Sequence, residues 1–375
     1  MAYLWYDGVS FFNEVNELDK KKHSFKQLLQ ALTDIHGVPG NEGPVREVMK
    51  KWLTPYADEI RTDRLGGLIA RKGEKGPKVM LAGHLDEVGF LITRITEDGY
   101  LQFQTLGGWW SQVLPAQRVD VITRAGNILG VVGSKAPHVM SLEERKKGTP
   151  LEKLYIDIGV ESKEEAEQLG VRPGDTVVPI SPFTEMGNSN RWLAKAMDNR
   201  FGCAAVVEVM AQLAEKELPN QLFSVGTVME EVGRRGAHTA TAVVKPDVAI
   251  AVDVGIASDT PGMGNLGSEC VLGKGPTLVL YDGGHVPHQG LVDLVRKVAE
   301  TENIPFQYEW IQRGATDASH IHIHDIGVPT VTLGIPARYI HSHASIIDKL
   351  DAEMLNRWLV AIVQRLDQET VNALY

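Results

Sequence analysis

His84 and Asp86, Asp198, the pair Glu230-Glu231, Asp253 and His341 are of the residue types that can bind or support divalent metals. Each stands where an apolar run gives way to a loop or a helix start. Imidazole and carboxylate are the donors that zinc, cobalt and manganese accept. These five separate segments deliver a His, an Asp, a Glu, an Asp and a His, too many ligands for one tetrahedral ion that must also hold water. They suit two ions about 3.5–4 Å apart with one carboxylate shared. The chemistry of such a pair is hydrolysis, because it lowers the pKa of water to about 7 and steadies a developing oxyanion.

Each residue taken singly has a plainer reading. A strand-end histidine can be a hydrogen-bonded structural residue, Asp198 can cap a helix, and Glu230-Glu231 can be a solvated acidic pair. Their joint placement favours a site. Arg313, four residues before Asp317, could pair with an acidic substrate side chain; the plain alternative is an exposed loop arginine. With Thr316, Asp317 and Arg338 it makes up the candidate substrate pocket.

The elements that must position these groups are legible as alternating helices and apolar strands. Helical spacing over 24–36 precedes a turn at 38–42, and Pro44 suits the first turn of a helix ending near Leu53. Strand-like runs follow at 67–71, 78–83 and 88–96. After Trp192, helices at 200–216, 235–244 and 288–302 lead to strands at 222–230, 247–254 and 306–310; a strand at 329–334 and a helix at 350–368 close the chain. Such alternation implies a largely parallel sheet flanked by helices, with functional residues at the carboxyl ends of strands. The expected ends are His84, Glu230-Glu231, Asp253 and the loop holding His341. Between about Val88 and Pro182, short alternating segments, Gly-rich turns and one helix at 162–168 read as a small β domain. The fold class is therefore a mixed α/β, zinc-exopeptidase-like domain (23–87 and 188–375), interrupted by an inserted β-barrel-like domain (88–187) and preceded by an extension (1–22).

A net charge of −10 disfavours phosphate backbones and anionic lipid, so nucleic acid and membrane are not expected partners. Two cysteines are too few for a disulfide scaffold and fit a reducing compartment. No signal-like start and no run of about 20 apolar residues occurs, so the expected location is the cytoplasm. Residues 262–267 match the dinucleotide fingerprint in letters, but no helix opens after them, and that reading is rejected. His320-Ile-His322-Ile-His324 would place three imidazoles on one side if extended; a helix starting after Asp317 is the alternative.

Six segments in order, namely Gly83–Phe90, Asp198–Arg200, Glu230–Gly233, Val252–Gly255, Thr316-Asp317 and Arg338–Ser342, resemble the tetrahedral metallo-aminopeptidases. That family includes glutamyl, leucyl and lysyl enzymes and members labelled endoglucanase. The resemblance runs from about His23 to the C-terminus. It implies that Asp198 bridges two divalent metals, His84 and Asp253 complete one shell, and Glu231 and His341 the other. Glu230 would be the general base and Asp86 the carboxylate orienting His84. It further implies short-peptide substrates, and dimers formed through the inserted domain that assemble into a hollow dodecamer. Met197, Ala315 and Ser319 depart from the family's usual residues on the substrate side. A two-metal deacylase or carboxypeptidase and a two-carboxylate glycosidase are the alternative readings.

Overall fold

The computed structural model describes residues 24–263 and 269–375; the extension 1–22 and most of the 262–267 motif lie outside the described residues. Leu28, Leu29 and Leu32 share the buried face of helix Phe25–Asp34, and Val45, Met49, Trp52 and Leu53 that of helix Gly43–Leu53. Both helices add to the main core against helix Met197–Gln212, which buries Phe201 and the run from Cys203 to Val207.

Eight strands form one sheet, in the order Glu59–Thr62, Leu68–Lys72, Gln221–Thr227, Lys78–His84, Val248–Ile256, Thr330–Ala337, Thr277–Tyr281 and Gln307–Trp310. The four from Gln221–Thr227 to Thr330–Ala337 are parallel. Their near-continuous burial matches strands covered on both faces. Leu68–Lys72 and Thr277–Tyr281 run antiparallel to the parallel set, so the sheet is mixed with a parallel centre. Thr277–Tyr281 was not among the expected strands. Only its first three residues are buried, and its Gly- and Pro-rich approach reads as loop.

Two strands run further than their sequence suggests. Those expected at 247–254 and 329–334 reach Ile256 and Ala337, because pairing continues from Asp253↔Gly334 to Ile256↔Ala337. Asp253 thus sits inside its strand rather than at its end. Beyond Ala337 the chain loops through His341 and returns as Ser345–Asp348, which pairs with Arg191–Ala194.

A second body of structure is a closed barrel of six short strands, all within residues 89–179. It has its own apolar core, in which Phe90 stacks on Trp109 with centroids 5.0 Å apart.

One glycine contact sets the distance between helix and sheet. A Cβ at Gly83 would lie 2.6 Å from the Gly202 carbonyl carbon, and one at Gly202 would lie 2.3 Å from the Val252 carbonyl oxygen. Paired glycines let helix Met197–Gln212 approach the strands that carry His84 and Asp253, which brings Asp198 close to both.

Candidate metal centre

Asp198 lies at the non-helical start of its helix, where it makes no cap bond. Its carboxylate is split between two imidazoles: Oδ1 is 3.1 Å from His84 Nε2, and Oδ2 is 3.4 Å from His341 Nε2. His341 Nε2 is also 3.5 Å from Glu231 Oε2. The donor atoms of His84, Asp198 and Glu231 lie within 4.8 Å of one another. Asp253 is buried and senses the charges of Asp198 and His84.

Both imidazoles are oriented from behind. Nδ1 of His84 donates to the Asp86 backbone carbonyl at 3.0 Å, and Nδ1 of His341 donates to the Gly108 carbonyl at 2.9 Å. Each bond fixes the Nδ1–H tautomer and leaves the Nε2 lone pair turned toward the carboxylate cluster, the usual pattern behind a metal-binding histidine. The Asp86 carboxylate does something else. Its two oxygens accept the backbone N–H groups of Glu230 and Glu231, each at 3.0 Å, while Oδ1 stays 3.6 Å from the His84 ring. Glu42 accepts the N–H of Met229, the left-handed residue before this pair. Two buried carboxylates therefore clamp the turn that carries Glu230 and Glu231.

The electrostatics are those of a crowded acidic pit. Burial, joined by the charge of Asp198, pushes the Glu231 carboxyl up to about 8. Burial likewise raises Glu230, against the pull of His84, and raises Asp253. Asp198 moves the other way, because its bonds to His341 and His84 outweigh the cost of burial. Burial disfavours a charged His341, yet the Asp198 bond and the Glu231 charge hold it up to about 10. Glu231 Oε1 is buried without a hydrogen-bond partner. Acids held up against their nature, an orphaned carboxylate oxygen and converging imidazoles are the conditions that divalent cations relieve. The residues fit the group the sequence implies.

The candidate pocket residues divide. Thr316 bonds Asp282 and the Thr332 hydroxyl, and Asp317 accepts the Thr227 hydroxyl at 2.5 Å; both are buried beneath the cluster. Arg338 makes a two-pronged pair with Asp259, at 2.7 Å twice. Arg313 is exposed, with no side-chain partner among the described residues. Sequence reasoning passed over Gly108 and Glu42. It also passed over a buried pair in which Glu87 accepts from Lys195 at 2.7 Å and from Arg200 at 3.1 Å, two residues from Asp198.

Residues 66–357 match the model of the M42 glutamyl aminopeptidase family, and residues 23–49 match a second model, AMPT. The glutamyl aminopeptidase of Lactococcus lactis subsp. cremoris is 36% identical over 92% of this chain and 97% of its own length. The lysyl aminopeptidase of Pyrococcus furiosus is 34% identical over 91% and 97%. Among solved structures, a TET aminopeptidase from Thaumarchaeota archaeon SCGC AB-539-E09 superposes with a TM-score of 0.91. It is 42% identical and covers 94% of this chain and 99% of that one. The Pyrococcus horikoshii TET1 peptidase, described as assembling into a tetrahedron or a large octahedral shell, gives 0.83 at 34% identity over 92% and 100%.

Proposed function

The chain belongs to the M42 family of aminopeptidases, and from that premise we propose how its residues divide the hydrolysis of short peptides. Asp198 would serve both of two divalent ions, with His84 and Asp253 holding one and Glu231 and His341 holding the other. Zinc suits this nitrogen and oxygen set best, and cobalt or manganese would also be accepted. When bound, the pair supplies a nucleophile at neutral pH and stabilises the tetrahedral oxyanion.

Glu230 takes the proton of the attacking water and passes it to the departing amine as the peptide C–N bond breaks. Asp86 sets the aim of Glu230 and Glu231 through their backbone amides. The observation that carries this reading is the divided carboxylate of Asp198, with one oxygen turned to each imidazole.

The named relatives prefer residues of opposite charge, so family membership leaves the preferred N-terminal residue open. An acidic preference is supported by Arg313, an exposed cation without a partner among the described residues, whereas Arg338 is committed to Asp259. The TET relatives and the separately cored barrel support dimers made through residues 88–187 that build a dodecamer around catalytic domains formed by 23–87 and 188–375. A cytoplasmic location accords with two buried cysteines, Cys203 and Cys270; no helix of the described residues is long and apolar enough to cross a membrane.

The test compares Glu-, Leu- and Lys-nitroanilides, and a peptide with free or acetylated N-terminus, on wild type and Arg313→Ala. Cleavage of the free peptide alone is expected, with Glu preferred and that preference lost in the variant. Equal cleavage of the acetylated peptide would point to the deacylase or carboxypeptidase reading, and an unchanged ranking would remove Arg313 from the pocket.

A further inference from the structure

The run His320-Ile-His322-Ile-His324 is not extended: helix Ala318–Ile321 carries its start, and a turn carries the rest. That turn brings His322 to a partner 37 residues away in sequence. His322 and His285 lie with ring centroids 4.8 Å apart and planes inclined at 57°. His322 Nδ1 donates to the Ala318 carbonyl at 2.8 Å, so Nε2 carries the free lone pair. One nitrogen of His285 faces the backbone of Thr330, and its Nε2 is buried with no hydrogen-bond partner among the described residues. Both rings border a cavity of about 270 Å³, with His288 and Tyr375 on its wall. His288 Nδ1 is a further buried nitrogen without a partner.

This cavity is not part of the catalytic centre. It opens beside Pro329 and Thr330, where strand Thr330–Ala337 begins. Asp253 pairs with Gly334, four residues and about 13 Å further along at ~3.3 Å per residue. His341 follows the strand's far end.

The lining decides the class of ligand. Among the described residues no lysine, arginine or carboxylate side chain borders the cavity, which argues against phosphate and against calcium or magnesium. Burial and the neighbouring His322 hold His285 down to about 4, so its imidazole is neutral, the form that binds metal. Each ring has a nitrogen secured by backbone and another left free, the same arrangement that His84 and His341 show at the catalytic centre.

We propose that His285 and His322 form a separate transition-metal site, taking one Cu²⁺, Ni²⁺ or Zn²⁺ through their Nε2 atoms, with solvent in the cavity completing its coordination. Two imidazoles make Cu²⁺ the tightest of the three.

The test titrates Cu²⁺ into enzyme already loaded at its catalytic centre, reading stoichiometry by calorimetry and nitrogen ligation by electron paramagnetic resonance. Wild type is expected to take one equivalent per subunit beyond its catalytic metals, with two-nitrogen splitting. His285→Ala and His322→Ala should each weaken that equivalent at least tenfold while keeping peptide hydrolysis and melting temperature. His324→Ala should leave it intact. If His285→Ala fails to fold, His322→Gln on the half-buried ring carries the same expectation. Absence of an extra equivalent in wild type would overturn the proposal. So would an extra equivalent that persists without either histidine, which would place the copper elsewhere.

Discussion

Nδ1 of His341 donates to the backbone carbonyl of Gly108 at 2.9 Å, joining a loop of the barrel to a proposed metal ligand 233 residues away. The barrel therefore shapes the centre directly, beyond any part it has in assembly. Gly107 adds to this, because a Cβ there would come within 3.0 Å of Glu231 Oε2.

A Cβ on Gly108 would lie 2.9 Å from His341 Nδ1. Gly108→Ala is therefore expected to push the imidazole aside and weaken metal retention on the order of 10–100-fold, the usual cost of disturbing a ligand's supporting partner. The melting temperature of the metal-loaded barrel and sheet should move little, since neither core is touched. Metal content after graded chelation, followed alongside thermal melting, separates the two effects. Retention equal to wild type would show that the Gly108 bond does not orient His341.

Glu230 is held by its backbone rather than by its carboxylate, so replacing the side chain leaves the turn intact. Glu230→Gln keeps the N–H bond to Asp86 and should retain both ions. Its kcat should fall on the order of 10²–10⁴-fold, the typical contribution of a positioned acid–base group. Asp86→Asn is expected to behave differently: it sets an amide donor against the N–H of Glu230 or Glu231 and should loosen both base and ligand. Elemental analysis with steady-state kinetics distinguishes them, and full turnover by Glu230→Gln would remove Glu230 as the base.

The parallel centre of the sheet was legible because its strands are covered on both faces and read as short apolar runs; the run expected at 222–230 ends as a strand at Thr227, short of Glu230-Glu231. The candidate cluster was legible for the same reason, since its residues fall at or near the ends of such runs. What stayed hidden lacks a side-chain signature. The Gly108 carbonyl belongs to a residue with no side chain, and Thr277–Tyr281 is a half-exposed strand behind a Gly- and Pro-rich approach. Thr316 and Asp317 read as pocket residues; in the fold the Thr316 hydroxyl bonds Asp282 and Thr332, and one oxygen of Asp317 accepts the Thr227 hydroxyl. Sequence spacing places a residue near a site; whether it faces the substrate is decided by partners distant in the chain.

The Glu87 carboxylate is 1% exposed and lies between Lys195 and Arg200, themselves buried. Neutralising it strands two cations away from water, and breaking such a buried pair typically costs about 3–5 kcal/mol. Glu87→Gln is expected to lose stability of that order, read from urea or guanidinium midpoints. Glu87→Met combined with Lys195→Met should recover part of the loss by removing one stranded charge. A double variant no more stable than Glu87→Gln would indicate that packing, rather than uncompensated charge, dominates at this position.

Glu309 gives the clearest pH dependence away from the metals. It is 1% exposed, its Oε1 accepts the Ile256 N–H at 2.8 Å, and it presses so closely on β-strand backbone that a Cβ at Gly255 would overlap it. Burial pushes its carboxyl up to about 7 from an ordinary 4.5, partly offset by the Ile256 N–H bond and the nearby Thr277 hydroxyl. A raised folded-state value means the protonated acid is the form the fold prefers. Its stability contribution is complete below pH 4.5 and is lost as pH rises through 7. At about 1.4 kcal/mol per pKa unit, a rise from 4.5 to about 7 makes the loss roughly 3 kcal/mol by pH 8. Glu309→Gln keeps the acceptor for Ile256 and cannot ionise, so its stability should match or trail wild type at pH 5 and exceed it at pH 8. Parallel denaturant curves across that range check this. A difference between the two proteins that does not change with pH would show that Glu309 does not titrate between 4.5 and 8 in the folded chain.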